Sequence, residues 1–416
     1  MSTTRPQRAD SSRKVGGDAA VIAVGYLASF AYPLVSLPFL ARALGAEGLG
    51  TVMVLLAVLQ LVVMTTDFGF GMSALRRTVH APDRAARSVV VAETLGAKAV
   101  LWGACAIVLA VPAATVPLLR EHAGALVLGM VLVLLGTWYP GWLLQGLGRT
   151  VTFALAMALS RLAALVGLVL TVDGPDHIGR AVGWQLAPMA LSALAVWPLL
   201  LWRWRQVHPA TATPAGIRAA LRDSAPLFVP NIAVMVSGSA TTLALGALTT
   251  PTQVAFFGAA ERFANAVRGV GRGVVDAMLP RITRPDTDHR LRRMILGGIP
   301  LAYLLSAAAL IIGAGPVLPW YLGAEMADAV PVVQLYALLL IPAGLTAALS
   351  LRATAQHRYR TVAHYTAIAA IAHLALVVPA VLIGEARGAA LSLVACEVLL
   401  AALFCRDAAR RRGAPQ

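Results

Sequence analysis

Glu261, Asn265, Arg268 and Arg272 are spaced i, i+4, i+7 and i+11, with Asp276 continuing the series. On a helix of 3.6 residues per turn this spacing stacks all of them on one face. The surrounding stretch is apolar, and an ionisable side chain near the centre of a bilayer costs roughly 2.5–3.5 kcal/mol on insertion scales. Such groups therefore face protein or water rather than lipid. One chemistry that fits is a cationic, water-accessible face that receives an anionic group. The alternative is a salt-bridge ladder that ties helices together, or a helix whose Arg268 and Arg272 have already left the membrane.

Other charges sit equally deep. Lys98, Arg161, Glu261, Arg262 and Glu397 lie about 13–17 Å inside the ends of their apolar runs at 1.5 Å per residue. Uncharged polar groups accompany them. Tyr26, Ser29, Pro33 and Ser36 share a face of the first run, and Asn231, Ser239 and Thr242 do so more loosely in the seventh. Pro33, Pro38, Pro226 and Pro230 predict kinks or breaks, which membrane helices tolerate where neighbours or water restore the lost hydrogen bonds. Ordinary packing through small residues is the competing reading of these faces.

Several motifs carry no chemistry. Asp67-Phe68-Gly69 spells a kinase metal-binding triplet, but no glycine-rich or catalytic loop accompanies it. Gly269-Val270-Gly271-Arg272-Gly273 follows no strand, so it does not predict a dinucleotide site. His364 and His373 lack a companion at ligand spacing, and Cys105, Cys396 and Cys405 all fall in apolar runs, which suits packing rather than a disulfide or metal set. No catalytic constellation stands out. The reading is of a chain with no catalytic residue, no metal and no cofactor.

The elements that must position these charges follow from composition. The 416 residues are 59% hydrophobic and 13% charged, with mean hydropathy +0.76, which requires lipid as solvent. About twelve apolar runs of about twenty residues fill the chain, too long for barrel strands and without period-two alternation. They predict an all-α polytopic membrane protein.

The net charge of +15 belongs to short loops, where basic residues set topology rather than bind nucleic acid. Arg76, Arg77, Arg84 and Arg87, then Arg203, Arg205, Arg218 and Arg222, then Arg352, Arg358 and Arg360 fall on one side. The other side offers Arg42, Arg120, Arg180 and Arg387, with acids such as Asp173, Asp176, Glu325 and Asp328 nearby. The positive-inside rule puts both termini in the cytoplasm and the chain in the cell (inner) membrane. The hydrophilic start through Asp18 leads into an uncleaved first span.

The expected organisation is a tail over 1–18, a six-helix bundle over 19–207, a linker over 208–223, a second six-helix bundle over 224–405 and a basic tail over 406–416. Internal echoes support two related halves. Gln145 precedes Arg149-Thr150-Val151 at the spacing at which Gln356 precedes Arg360-Thr361-Val362, and Pro33-Leu34 matches Pro226-Leu227. Both halves begin on the same side, so the repeat is read as parallel.

The stretch Tyr32-Pro33-Leu34-Val35-Ser36-Leu37-Pro38-Phe39-Leu40-Ala41-Arg42-Ala43-Leu44-Gly45-Ala46-Glu47-Gly48-Leu49-Gly50 resembles the first span and outer loop of Wzx-type O-antigen flippases. These belong to the polysaccharide transporter family within the multidrug/oligosaccharidyl-lipid/polysaccharide exporter superfamily. Asp67-Phe68-Gly69-Phe70-Gly71, Trp142-Leu143-Leu144-Gln145-Gly146-Leu147-Gly148-Arg149 and Ala259-Ala260-Glu261-Arg262 are similar to later stretches of that family. The resemblance implies twelve helices in two pseudo-symmetric bundles around a central cationic cavity. It also implies movement of an undecaprenyl-diphosphate-linked oligosaccharide to the outer leaflet by alternating access.

On that basis Arg161, Arg262, Arg268 and Arg272 are expected to take the phosphates, since a planar guanidinium binds phosphate oxygens bidentately. Glu261 would hold these arginines apart in the empty site. Asp67, Glu93, Glu261 and Glu397 are candidates for carrying H+ or Na+, and Tyr26, Ser29, Ser36, Lys98, Asn231 and Asn265 for further cavity polar groups. Expected partners are the lipid-linked oligosaccharide, membrane lipids and, beside a monomeric chain, a polysaccharide polymerase and glycosyltransferases. The competing functions are a drug/cation antiporter, whose deep charges should be acidic; a peptidoglycan-precursor flippase, which has extra spans; and a polysaccharide polymerase or ligase, which needs a large outer loop.

Overall fold

The computed structural model describes residues 7–282 and 289–412; the side chains of Tyr26, Ser29, Asn231, Arg272 and Asp276 lie outside the described residues. The described chain is helical, without strands. In order, the helices are α1 (Gln7–Asp67), α2 (Phe70–Val79), α3 (Arg84–Thr115), α4 (Pro117–Glu121), α5 (Ala123–Thr137), α6 (Gly141–Gly146), α7 (Thr150–Thr171) and α8 (Ile178–Pro198). They continue as α9 (Pro214–Leu248), α10 (Pro251–Ile282), α11 (His289–Leu322), α12 (Val330–Ala337), α13 (Leu340–Ala355) and α14 (Tyr359–Arg412).

Eight helical stretches among the described residues are long and apolar enough to cross a membrane. Two are double length: Ala31–Val79 runs 49 residues and Tyr359–Arg410 runs 52, each about twice the residues needed to cross a ~30 Å hydrocarbon layer. Each is interrupted. Gly45 (φ 68°) breaks α1, with Phe68 (φ 44°) and Gly69 (φ 79°) forming a second break before α2, and Glu385 (φ 48°) breaks α14. The chain folds back at Gly45 and at Glu385. A Cβ on Gly388 would collide with the Ala380 carbonyl, and one on Gly48 would lie 2.9 Å from Leu44 Cβ, approaches that a straight helix does not make. Splitting these two gives ten segments, and α9 and α10 bring the described total to twelve. α10 carries Glu261, Arg262, Arg268 and Arg272 along its length, which lowers its mean hydropathy. Hydropathy alone therefore passes over the helix that carries this charge series.

Pro38 and Pro188 do not end their helices, because tyrosines replace the bonds they remove. Proline lacks an N–H and so leaves the carbonyl four residues earlier without its helical donor. Pro38 does this to Leu34 and Pro188 does it to Trp184. Tyr321 Oη donates to the Leu34 carbonyl at 3.0 Å, and Tyr32 Oη donates to the Trp184 carbonyl at 2.8 Å.

The described chain forms two compact units. One comprises Met1–Tyr32, Leu59–Val172 and Gly179–Val229. Its core gathers Phe70, Trp142, Leu143, Leu144 and Leu200, all buried, and small residues bring its helices close: a Cβ on Gly167 would overlap the Trp184 ring. The other unit comprises Pro33–Val58, Asp173–Ile178 and Pro230–Gln416. There the α1 segment after Gly45 packs on α9 and α10, with Gly50 against the Pro251 carbonyl, Gly246 against Val54 and Gly258 against Met53. Large apolar side chains such as Ile312 and Ile383 point outward, as a lipid environment requires.

Candidate functional site

α10 carries charge in two directions within the second unit. Its Glu261 accepts a hydrogen bond from the Asn265 side chain one turn on, and lies within electrostatic reach of Arg262 and Arg268. Buried Tyr336 on α12 is within reach of Glu261, of Arg268 and of Glu397 on α14, so three helices converge on this polar group. The Tyr336 ring is fixed edge-on against Phe257, with centroids 5.5 Å apart. Asn265 and Arg268 are exposed while Glu261 is partly buried.

Arg262, about 100° around the helix from Glu261, points to α1. Its Nη1 approaches the Pro33 carbonyl at 3.5 Å, and the hydroxyl of buried Ser36 donates to the same carbonyl at 3.3 Å. The structure thus brings Glu261, Asn265, Arg268 and Glu397 together around Tyr336, and joins Arg262 to Ser36 through Pro33.

The other unit holds Asp67, Glu93, Lys98 and Arg161. Buried Lys98 pairs with Asp67 across 3.6 Å, and the Asp67 side chain stays 60% exposed. Arg77 pairs with Glu93. Arg161 on α7 donates to the Met157 carbonyl at 2.9 Å, one turn back on its own helix, and lies within reach of the Tyr32 and Tyr139 hydroxyls. Among the described residues, no carboxylate comes within ion-pair distance of Arg161 or Arg268. The side chains of Tyr26, Ser29, Asn231 and Arg272 lie outside the described residues.

Three participants are absent from the expected set: Tyr336 on α12, Tyr32 on α1 and Tyr139 in the connector between α5 and α6 all reach the charges. Their local sequence does not mark any of the three as a partner of these charges. Apart from them, buried His373 shares a 2.9 Å hydrogen bond with buried Thr241. No group of His, Cys, Asp and Glu able to hold a metal ion occurs among the described residues.

Residues 15–285 match the family described as polysaccharide biosynthesis protein. The chain belongs to the polysaccharide biosynthesis protein family. This member is 25% identical over 392 residues to a "Putative O-antigen transporter" of Escherichia coli (strain K12), covering 92% of this chain and 94% of that one. It is 22% identical to the Shigella dysenteriae protein of the same description, covering 90% and 94%.

In fold the family member is similar to "Lipid II flippase MurJ, inward closed conformation", with TM-score 0.78, 12% identity and coverage of 94% and 87%. It is also similar to an inward-facing multidrug resistance MATE family transporter of the MOP superfamily, with TM-score 0.71, 16% identity and coverage of 92% and 96%. The fold is therefore that of an all-α, multi-pass membrane protein.

Proposed function

We propose that the chain is a flippase that carries an undecaprenyl-diphosphate-linked oligosaccharide from the cytoplasmic to the outer leaflet by alternating access, for cell-surface polysaccharide synthesis. The observation that carries this reading is the pair of intramembrane guanidiniums, Arg161 and Arg268, with no carboxylate at ion-pair distance among the described residues. A salt-bridge ladder would neutralise them. A group meant to bind a diphosphate must instead keep its charge available. Family membership and the O-antigen transporter relatives support the same substrate class.

In this scheme Arg161, Arg262, Arg268 and Arg272 are phosphate ligands. Glu261, with Asn265 bound to it, keeps Arg262 and Arg268 from repelling each other when no anion is present. The chain sits in the cell inner membrane with both termini cytoplasmic and works as a monomer built from two six-helix halves. An inside-negative potential favours outward movement of the anion by about 2.3 kcal/mol per charge per 100 mV, so a substrate with two charges gains about twice that. Asp67, Glu93, Glu261 and Glu397 are the groups available for H+ or Na+ coupling. A polysaccharide polymerase and glycosyltransferases are the expected neighbours in the membrane, and the chain itself performs no bond chemistry.

The test is a flipping assay in proteoliposomes with a fluorescent polyprenyl-diphosphate-linked saccharide. Wild-type protein should move it, and Arg161→Ala and Arg268→Ala should slow it at least about tenfold, since a charge-assisted hydrogen bond contributes about 1.5–3 kcal/mol. Wild-type rates in both variants would remove these residues from the scheme. No transport by the wild type would end the flippase reading.

A further inference from the structure

A polar cavity of about 510 Å³ opens at the far end of α13 and α14. Its lining joins apolar residues, among them buried Ala353 and Phe404, to the polar side chains of Arg352, Gln356, Arg358 and Asp407. Arg358 is held on Asp407 by a 2.7 Å bond, with both side chains largely buried. Exposed Arg352 has no side-chain partner among the described residues. The turn that shapes the cavity is strained at His357, a non-glycine residue at φ 58°. The related turn of the other unit is built differently, with the Arg149 guanidinium stacked 3.8 Å over the Trp204 ring.

We infer that this cavity binds the phosphodiester headgroup of an anionic membrane phospholipid. Three features lead there. Two arginines and one aspartate leave the lining with one net positive charge, which matches the single negative charge of a phosphodiester. Apolar lining beside these polar groups suits a headgroup that continues into glycerol and acyl chains, whereas a free anion would gain nothing from Phe404. The cavity also lies at the ends of the apolar stretches Ala324–Ala355 and Tyr359–Arg410, where a membrane helix reaches the headgroup region. Basic pockets between helix ends are a recurrent site for such lipids, and a guanidinium such as Arg352 binds their phosphate oxygens. The assignment to the inner leaflet rests on the proposed orientation; the headgroup chemistry does not.

The experiment uses purified full-length protein in detergent, with no saccharide lipid present, so its outcome is independent of transport. Binding of phosphatidylglycerol, phosphatidylcholine, inorganic phosphate and polyprenyl diphosphate is followed by native mass spectrometry and by thermal shift. The wild type should bind phosphatidylglycerol at least tenfold more tightly than Arg352→Gln does, and in preference to phosphatidylcholine. Asp407→Asn, which removes the negative charge beside Arg358, should tighten phosphatidylglycerol binding. Equal affinity of the wild type and Arg352→Gln, or unchanged affinity in Asp407→Asn, would overturn the proposal. Saturation by inorganic phosphate at the same concentration would overturn it in favour of a free anion. Displacement of phosphatidylglycerol by a lower concentration of polyprenyl diphosphate would overturn it in favour of the transported lipid.

Discussion

Tyr321 donates its hydroxyl proton to the carbonyl of Leu34 across 3.0 Å, and that carbonyl is the one Pro38 deprives of its helical donor. The tyrosine thereby lets α1 run through Pro38 with the lost bond replaced by a side chain, the kind of compensation membrane helices need. Replacing Tyr321 with Phe should destabilise the protein by about 1–3 kcal/mol, the range for a polar group left unsatisfied. In a Pro38→Ala background the same substitution should cost far less, because alanine at that position restores the missing N–H. Thermal unfolding of the four proteins in detergent measures the difference, and equal losses in both backgrounds would refute this role for the tyrosine.

Lys98 and Asp67 invite a similar cycle. Lys98 is buried while Asp67 is mostly exposed, so Asp67→Asn strands a buried ammonium and should destabilise by about 1–3 kcal/mol. Lys98→Met removes the charge altogether, and the double variant should recover most of the Asp67→Asn loss. Additive losses would show that the pair contributes no coupling.

The two hairpin points should respond differently to added side chains. Gly45 sits at φ 68°, so Gly45→Ala should cost about 1 kcal/mol through backbone strain. Gly388→Val must displace the Ala380 carbonyl and should cost about 1–3 kcal/mol or prevent folding, as overpacking does. Expression level and unfolding temperature provide the measurement, and a Gly388→Val protein as stable as the wild type would contradict the tight return at Glu385.

Membrane orientation has a direct check. In a background without Cys105, Cys396 and Cys405, a cysteine introduced in place of Asp176 should react with an impermeant maleimide on intact cells. One in place of Gln356 should react only after permeabilisation. Both positions are exposed, so the opposite pattern would invert the proposed topology.

The sequence by itself determined the helical class, the membrane-spanning character and the acid–amide–arginine series of α10. Those properties are local: long apolar runs call for lipid around helices, and a period of 3.6 residues aligns Glu261, Asn265 and Arg268 whatever surrounds them. It also placed prolines that must be compensated, without saying by what. Tertiary structure alone decided that Tyr336 and Glu397 meet that series and that Arg262 turns instead to Pro33 beside Ser36. It likewise decided that Lys98 takes Asp67 while Arg77 takes Glu93. These choices depend on where helices cross and how closely glycines such as Gly50 and Gly258 let them approach, and packing geometry of that kind leaves no periodic trace along the chain.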